Sequence, residues 1–590
     1  MSATSTAPDT TALATAAIPA RHAVPRGVVA AAACVLIPAG LIDAWAGRFS
    51  FFAADTVSYM DMASGLAQGD LSAAVAGHWS PLYPAFIAVF MHLVGAVPPA
   101  DFAAARVLNM AVFIAAFAVF HMFLERFVRR VCQVPTGGSE CPVPPACLAA
   151  IGYAAFAWSC FSLTLLGRIN PDICVLAVVC AVAWSLLCFS EGFISRPRFA
   201  GFGAVLATGY LFKAIVFPLS FLFMAIAAAL PSLRRRRIRI LIALAVFLAL
   251  SLPLAIAISL KYDRVTFGES GRYSYGWEVL LYKPYVHWQG EPAGSGTPLH
   301  PTRQIMRNPD VFEFATPIVA TYAPWYDPTY WNAGLNVHFD ADKQVRAVAR
   351  NLRNIALVLL HDRFANVVLL ILAAAALGVR GLGVSRGALV RLAPVWLVGM
   401  GVLAAYTPVL ILPRYVAGGL LLLVLCALAS VTSRDQRAAR QAGLVLAGLC
   451  VLGVGWQCGP RIGQAAAAIA ATRGHIRNDT WLVADALRAH GIAPGAPVAA
   501  IDPGDQHKVM DWARLSGVRV ISEIPEDEDP TRQFWTYPAD RQALALEALG
   551  RTGARAVVAS DVPNGADTTG WTRIGHSEFY LRVLTPNRIP

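Results

Sequence analysis

Four short stretches hold the residues of this chain that could do chemistry. Asp55 sits in Ala54-Asp55-Thr56-Val57-Ser58-Tyr59, just after a first apolar run. Arg168 and Asp172 share Leu166-Gly167-Arg168-Ile169-Asn170-Pro171-Asp172 between two further runs. Lys213 closes Gly209-Tyr210-Leu211-Phe212-Lys213, and Arg414 opens Leu412-Pro413-Arg414-Tyr415. A carboxylate kept at the mouth of a membrane bundle is expensive and marks chemistry or cation binding. It can take a proton from a hydroxyl. Arg and Lys can stabilise the charge that grows on a departing phosphate. Glycosyl transfer from a phosphate needs both. Plainer roles compete for the same residues. Asp55 and Asp172 could cap helices, Lys213 and Arg414 could snorkel from helix ends, and Tyr59 could belong to an aromatic belt.

A bilayer must position these residues. Mean hydropathy is +0.55, 57% of residues are hydrophobic and 14% are charged, against about a quarter charged in soluble domains. The net charge of +12 comes largely from short arginine clusters between apolar runs, such as Arg126 to Arg130, Arg234 to Arg237 and Arg434 to Arg440. That is the positive-inside pattern, which orients helices and does not indicate nucleic acid. About eleven spans are expected, near 27–47, 103–125, 146–167, 172–190, 200–213, 214–231, 238–260, 354–377, 388–407, 415–432 and 441–457. This count puts the N-terminus and every arginine cluster in the cytoplasm and the C-terminus in the periplasm. Pro81 to Val97 is read as a helix lying at the outer interface, since a further span there would turn the Arg126 cluster outward. Lys213, Arg168 and Arg414 then fall at outer span ends, against the trend of the other basic residues.

Outside the membrane, residues 1–26 read as a disordered cytoplasmic N-terminus, and loops 48–102 and 261–353 as outer segments of a transmembrane domain spanning 27–459. The second loop carries Tyr273, Tyr275, Trp277, Tyr282, Tyr285, Trp288, Trp325, Tyr326, Tyr330 and Trp331, rings suited to sugar faces or to the interface. His78, His287 and His300 read as polar loop residues. In the tail, 460–590, the apolar runs 497–501, 518–522 and 554–560 alternate with helical segments 481–490, 507–515 and 539–549. That pattern implies a small periplasmic α/β domain with a parallel sheet. It has no glycine-rich nucleotide fingerprint. The acidic run from Glu523 to Asp529 reads as a solvated loop rather than a calcium site. All eleven cysteines lie at or before Cys458, without metal-site spacing and with none in loop 261–353 or the tail.

Taken together, these motifs resemble the GT-C superfamily of membrane glycosyltransferases, in the manner of the lipid A aminoarabinose transferases, the protein mannosyltransferases and the RgtA/B/C/D-like branch. Ala54-Asp55-x-x-x-Tyr59 is similar to the first-loop acidic motif. His78-Trp79-Ser80-Pro81-Leu82-Tyr83 resembles the motif that opens the interface helix. The stretches ending in Asp172 and Lys213, and the Arg414-Tyr415 pair, resemble three later motifs in the same order. The resemblance implies Asp55 and Asp172 as catalytic carboxylates, Arg168, Lys213 and Arg414 as donor-phosphate ligands, and Tyr59, His78, Tyr83 and Tyr415 as substrate contacts. The sequence departs from the family pattern in having Thr56 after Asp55, and His78, Trp79 and Ser80 before Pro81. This leaves metal dependence open, with Asp55 and His78 as the pair that could hold a divalent ion.

The expected fold is an all-α polytopic bundle with a small C-terminal extracytoplasmic α/β domain, set in a bacterial inner membrane. The expected activity moves a sugar from a polyprenyl-phosphate carrier to a glycan, lipid or protein acceptor on the outer side. A flippase or transporter of a lipid-linked substrate is the alternative, and it should show broken helices and internal repeats. A non-catalytic partner in envelope-glycan assembly is a third reading.

Overall fold

In a computed structural model of the protein the described residues are 24–47, 54–98, 100–132, 141–282, 302–314, 320–326, 337–433, 435–472, 478–502, 506–525 and 533–584. The first 23 residues, Tyr285, Trp288, His287, His300, Tyr330, Trp331 and residues 526–529 lie outside them.

Each expected span meets a helix. They are Arg26–Ala46, Ala100–Cys132, Pro145–Trp158 (running on as a π turn to Thr164), Asp172–Ser190, Arg196–Phe212, Val216–Ala229, Ile240–Lys261, Arg363–Ala376, Ala393–Tyr406, Pro413–Ala429 and Gln436–Thr472. Six helices among the described residues are long and apolar enough to cross a membrane alone, and several others are shorter apolar helices. Asp172–Ser190 has 19 residues, a length of about 28 Å, close to the hydrocarbon thickness. Helix 393–406 crosses 413–429 at bare backbone. A methyl group on Gly399 would sit 2.8 Å from the Gly419 carbonyl, and one on Gly419 would sit 2.9 Å from that of Gly399. Small residues at such crossings let membrane helices approach closely. Here the crossing fixes the helix that carries Arg414 in its first turn.

The expected span at 354–377 is corrected. It is two helices, Ala341–His361 and Arg363–Ala376, bent by 90°. Asp362 causes the break. One carboxylate oxygen caps the second helix by accepting from the Ala365 amide at 2.9 Å. The other accepts from Trp158 Nε1 at 3.0 Å and Ser162 Oγ at 3.1 Å. An isolated carboxylate deep in a span would be costly, and bending here gives it three donors. The first helix is amphipathic, burying Ala347, Asn351 and Ile355 as one stripe. Its Asn351 donates to the Thr407 and Val409 carbonyls at 2.9 and 3.0 Å and so braces the turn that leads to Arg414.

Leu82–Val94 forms the helix expected at the interface, and Gly95 ends it in the left-handed conformation (φ 62°) that glycine adopts without strain. Its Phe86, Val89 and Leu93 are exposed, as an apolar surrounding would allow.

Beyond the bundle lies a seven-stranded sheet. Strand Pro497–Asp502 lies centrally, parallel to Arg519–Pro525 on one side and to Ala556–Ala559 on the other. Helices Asp479–Ala489, Gln506–Ser516 and Ala539–Arg551 alternate with these strands. Both edges differ from the expected all-parallel sheet. Tyr580–Val583 pairs antiparallel to Ala556–Ala559. Arg303–Met306 and Val311–Glu313 come from loop 261–353, the latter antiparallel to Arg519–Pro525. These added strands shield the edges of the parallel core. The last long helix continues through Pro460 to Thr472, so residue 460 lies within one continuous helix.

Candidate functional site

Three helix ends and one short outer helix converge on a single cleft. Asp172 begins its helix and Arg414 is the second residue of its own, while Lys213 follows the last residue of 196–212. Asp55 lies in the first turn of Ala54–Ala67. Helices 172–190 and 196–212 run away from and back to this cleft, so Arg196 and Arg198 stand at the opposite end. Arg126 stands there too, paired with Glu191. The cleft holds about 890 Å³ of space, counting the open solvent at its mouth.

The charges pair in a chain. Asp172 is 3% exposed and accepts from Lys213 Nζ at 2.6 Å. Its second oxygen lies 3.6 Å from Arg414 Nε. Arg414 Nη2 reaches Asp55 at 3.2 Å, and Asp55 keeps 27% of its side chain exposed. Arg414 also donates to the Tyr415 hydroxyl at 3.3 Å. Lys213 Nζ sits 3.7 Å from the Tyr415 ring centroid, an attractive cation–π placement, and Tyr406 stacks on Tyr415 at 5.1 Å. The charges of two carboxylates and two cations thus cancel in the cleft. The capping role open to Asp172 is filled by Asn170, whose side-chain oxygen accepts from the Asp172 amide at 3.0 Å. That leaves the Asp172 carboxylate for the cations. Leu165, in the left-handed region (φ 58°), holds a bulky residue where strain is expected and turns the chain into the Arg168–Asp172 loop.

The other expected residues divide. Tyr59 lines the cleft and packs edge-on to Trp79 at 5.5 Å and Tyr83 at 5.6 Å. Burial, then the nearby Asp55 and Asp172, raise its hydroxyl well above the usual tyrosine range, so it stays a neutral phenol. Tyr83 is fully buried behind Tyr59, donates to Asn109 Oδ1 at 2.6 Å, and is not a lining residue. Arg168 is exposed close by, within the field of Arg414, Asp55 and Asp172, but does not line the cleft. His78 lines it, with its ring centroid 4.2 Å from that of Trp79 and 6.0 Å from that of Tyr273. The residues present do not fit a protein-built divalent site. No three His, Cys, Asp or Glu side chains converge among the described residues, and Asp55 faces a guanidinium. Tyr406, Phe212 and Ser270 line the cleft unanticipated. Tyr406 alone left a signal, as a polar ring at the outer end of a span.

No family model and no curated protein matches the sequence. Solved structures that resemble the fold include two of one protein. ArnT from Cupriavidus metallidurans in the apo state superposes with a TM-score of 0.50 at 10% identity, over 94% of this chain and 97% of that one. The chain shares the fold of that structure. The same ArnT bound to undecaprenyl phosphate gives a TM-score of 0.48 with the same identity and coverage. The bundle brings the Asp55 helix, the Asp172 loop and the Arg414 turn to one cleft. A bundle with an appended sheet is the architecture the sequence predicted.

Proposed function

We propose that this chain is a membrane glycosyltransferase that moves a sugar from a polyprenyl-phosphate carrier to an acceptor hydroxyl on the outer side of the membrane. The observation that carries the reading is the Asp55–Arg414–Asp172–Lys213 charge chain, opening into a cleft at converging helix ends of a GT-C fold. Asp55, the more exposed carboxylate, takes the acceptor proton as the acceptor oxygen bonds to the anomeric carbon. The bond from that carbon to the phosphate oxygen breaks, and the phosphate leaves with the electron pair. Lys213 and Arg414 receive its charge, with Arg168 close by. A donor phosphate entering the cleft brings the negative charge that two cations already balanced by two carboxylates can share.

Asp172 holds Lys213 and Arg414 beside one another through its two oxygens, which is a different task from that of Asp55. Tyr59, His78 and Tyr415 shape the cleft wall, with Tyr83 behind them. The test is Asp55→Asn, which keeps volume and removes the proton acceptor. Surface glycans and lipid-linked sugars, followed by mass spectrometry, should lose the product while the protein stays abundant in the membrane. Undiminished product would return Asp55 to a capping role.

A further inference from the structure

The tail grips the helix that carries Asp55. Arg514, on tail helix Gln506–Ser516, is 5% exposed. Its guanidinium donates to Asp61 Oδ1 at 2.8 Å and Ser64 Oγ at 2.8 Å, both on helix Ala54–Ala67, and pairs with Asp101 at the start of Ala100–Cys132. Asp61 lies less than two turns beyond Asp55. It also accepts from the Thr321 amide at 2.9 Å and hydroxyl at 2.7 Å. Residues 321–326 form a second arm of the same grip. Tyr322 bridges to Val520 in the tail sheet and donates to Glu523 at 3.1 Å. The backbone carbonyl of Trp325 accepts from Ser58 at 3.5 Å, and that of Tyr326 accepts from the Trp79 indole at 3.4 Å. Ala54 and Val57, on either side of Asp55, pack into the hydrophobic core of the tail rather than that of the bundle.

Two buried carboxylates against one guanidinium make a poor way to gain stability, because desolvation offsets much of the attraction. A fork with fixed geometry is, however, a good way to hold a helix in one register. We infer that Arg514 is a positioning residue, through which the tail domain holds helix Ala54–Ala67 so that Asp55 faces the cleft. This rests on the glycosyltransferase reading for its kinetic consequence and on the structure alone for its mechanical one. Lys213 and Arg414 stand on other helices, so donor binding should survive loosening of the grip while turnover does not.

The test uses the full-length protein in detergent or nanodiscs, with polyprenyl-phosphate sugar as donor. Arg514→Gln should cut kcat by about a hundredfold, the cost of misplacing a reacting group by about 1 Å, while donor KM moves less than about threefold. Hydrogen exchange should quicken in residues 54–67 and stay unchanged in 172–190. Arg514→Lys, which keeps the charge but loses the fork, should restore part of kcat. If Arg514→Gln does not fold, Thr321→Val, which removes one bond to Asp61, should show the same pattern at smaller size. Wild-type kcat with unchanged exchange in either folded variant overturns the inference. So does a rise in donor KM that accounts for the whole loss. A wild-type protein that transfers no sugar would overturn the functional reading instead, and the exchange measurement would then judge the grip by itself.

Discussion

Asp172→Asn should separate the two carboxylates of the cleft. The change keeps shape and removes one negative charge from a side chain only 3% exposed, which accepts from Lys213 at 2.6 Å and lies 3.6 Å from Arg414. Losing a charge-assisted hydrogen bond costs about 1.5–3 kcal/mol, and stranding a buried cation costs about 3–5 kcal/mol. Lys213 and Arg414 keep 21% and 15% of their side chains exposed, and water in the cleft will screen part of this. A loss of about 2–3 kcal/mol is therefore expected. Asp55→Asn removes a contact at 3.2 Å to a partner shared with Asp172, from a side chain 27% exposed, so its stability cost should stay below about 1 kcal/mol. Its catalytic cost should be about a hundredfold to ten-thousandfold, the usual worth of a general base. The assay pairs thermal unfolding in detergent with donor-saturated turnover. Asp172→Asn should be the less stable variant and Asp55→Asn the less active one. The reverse order would refute the division of labour, and an Asp172→Asn protein as stable as wild type would refute the ion-pair accounting itself.

Lys213→Ala and Arg414→Ala should each raise the apparent donor KM about tenfold to a hundredfold, from about 1.5–3 kcal/mol per charge-assisted contact. Because both cations share Asp172, the double variant should be less than additive, and unchanged KM in both single variants would leave them as structural anchors. Asp362→Ala should destabilise the protein by about 2–4 kcal/mol, since Trp158 and Ser162 lose a buried acceptor and helix 363–376 loses its cap; a wild-type melting profile would mean the bend persists without it. A reporter active only in the periplasm should work when fused after Pro590, and activity of a cytoplasm-only reporter there would remove the tail from the side of the cleft.

What the sequence showed and what it hid have physical causes. Apolar runs report burial away from water directly, so every expected span but 354–377 found a single helix, and strands 497–502, 519–525 and 556–559 were visible as short apolar runs because a central parallel strand is covered on both faces. The strands 303–306 and 311–313 were hidden because they are only four and three residues long, too short for a pattern to register. The pairing of 311–313 with Arg519–Pro525 joins residues about 200 positions apart, which no local pattern can report. Asp362 was the sharper miss. A lone acid beside His361 and Arg363 reads as a tolerated charge in an apolar run, yet a carboxylate that must be satisfied inside the bundle makes the chain turn. The site followed the same rule. That Asp55, Asp172, Lys213 and Arg414 stand out was legible because charges at span ends away from the arginine clusters are rare. Their order in one chain of ion pairs was not, because it depends on rotamers meeting across four helices. Tyr83 shows where residue type misleads. An aromatic ring beside an active-site motif suggests a substrate contact, but here its hydroxyl is bound to Asn109 and the ring serves as backing for Tyr59. Arg514 was invisible for a further reason. A single arginine in an amphipathic tail helix looks like a solvated charge, and only the docked tail reveals that its two carboxylate partners lie on helices more than 400 residues earlier. The charges that meet in the cleft can be read from their placement along the chain, whereas the residues that hold them in place can be read only from contacts between distant parts of it.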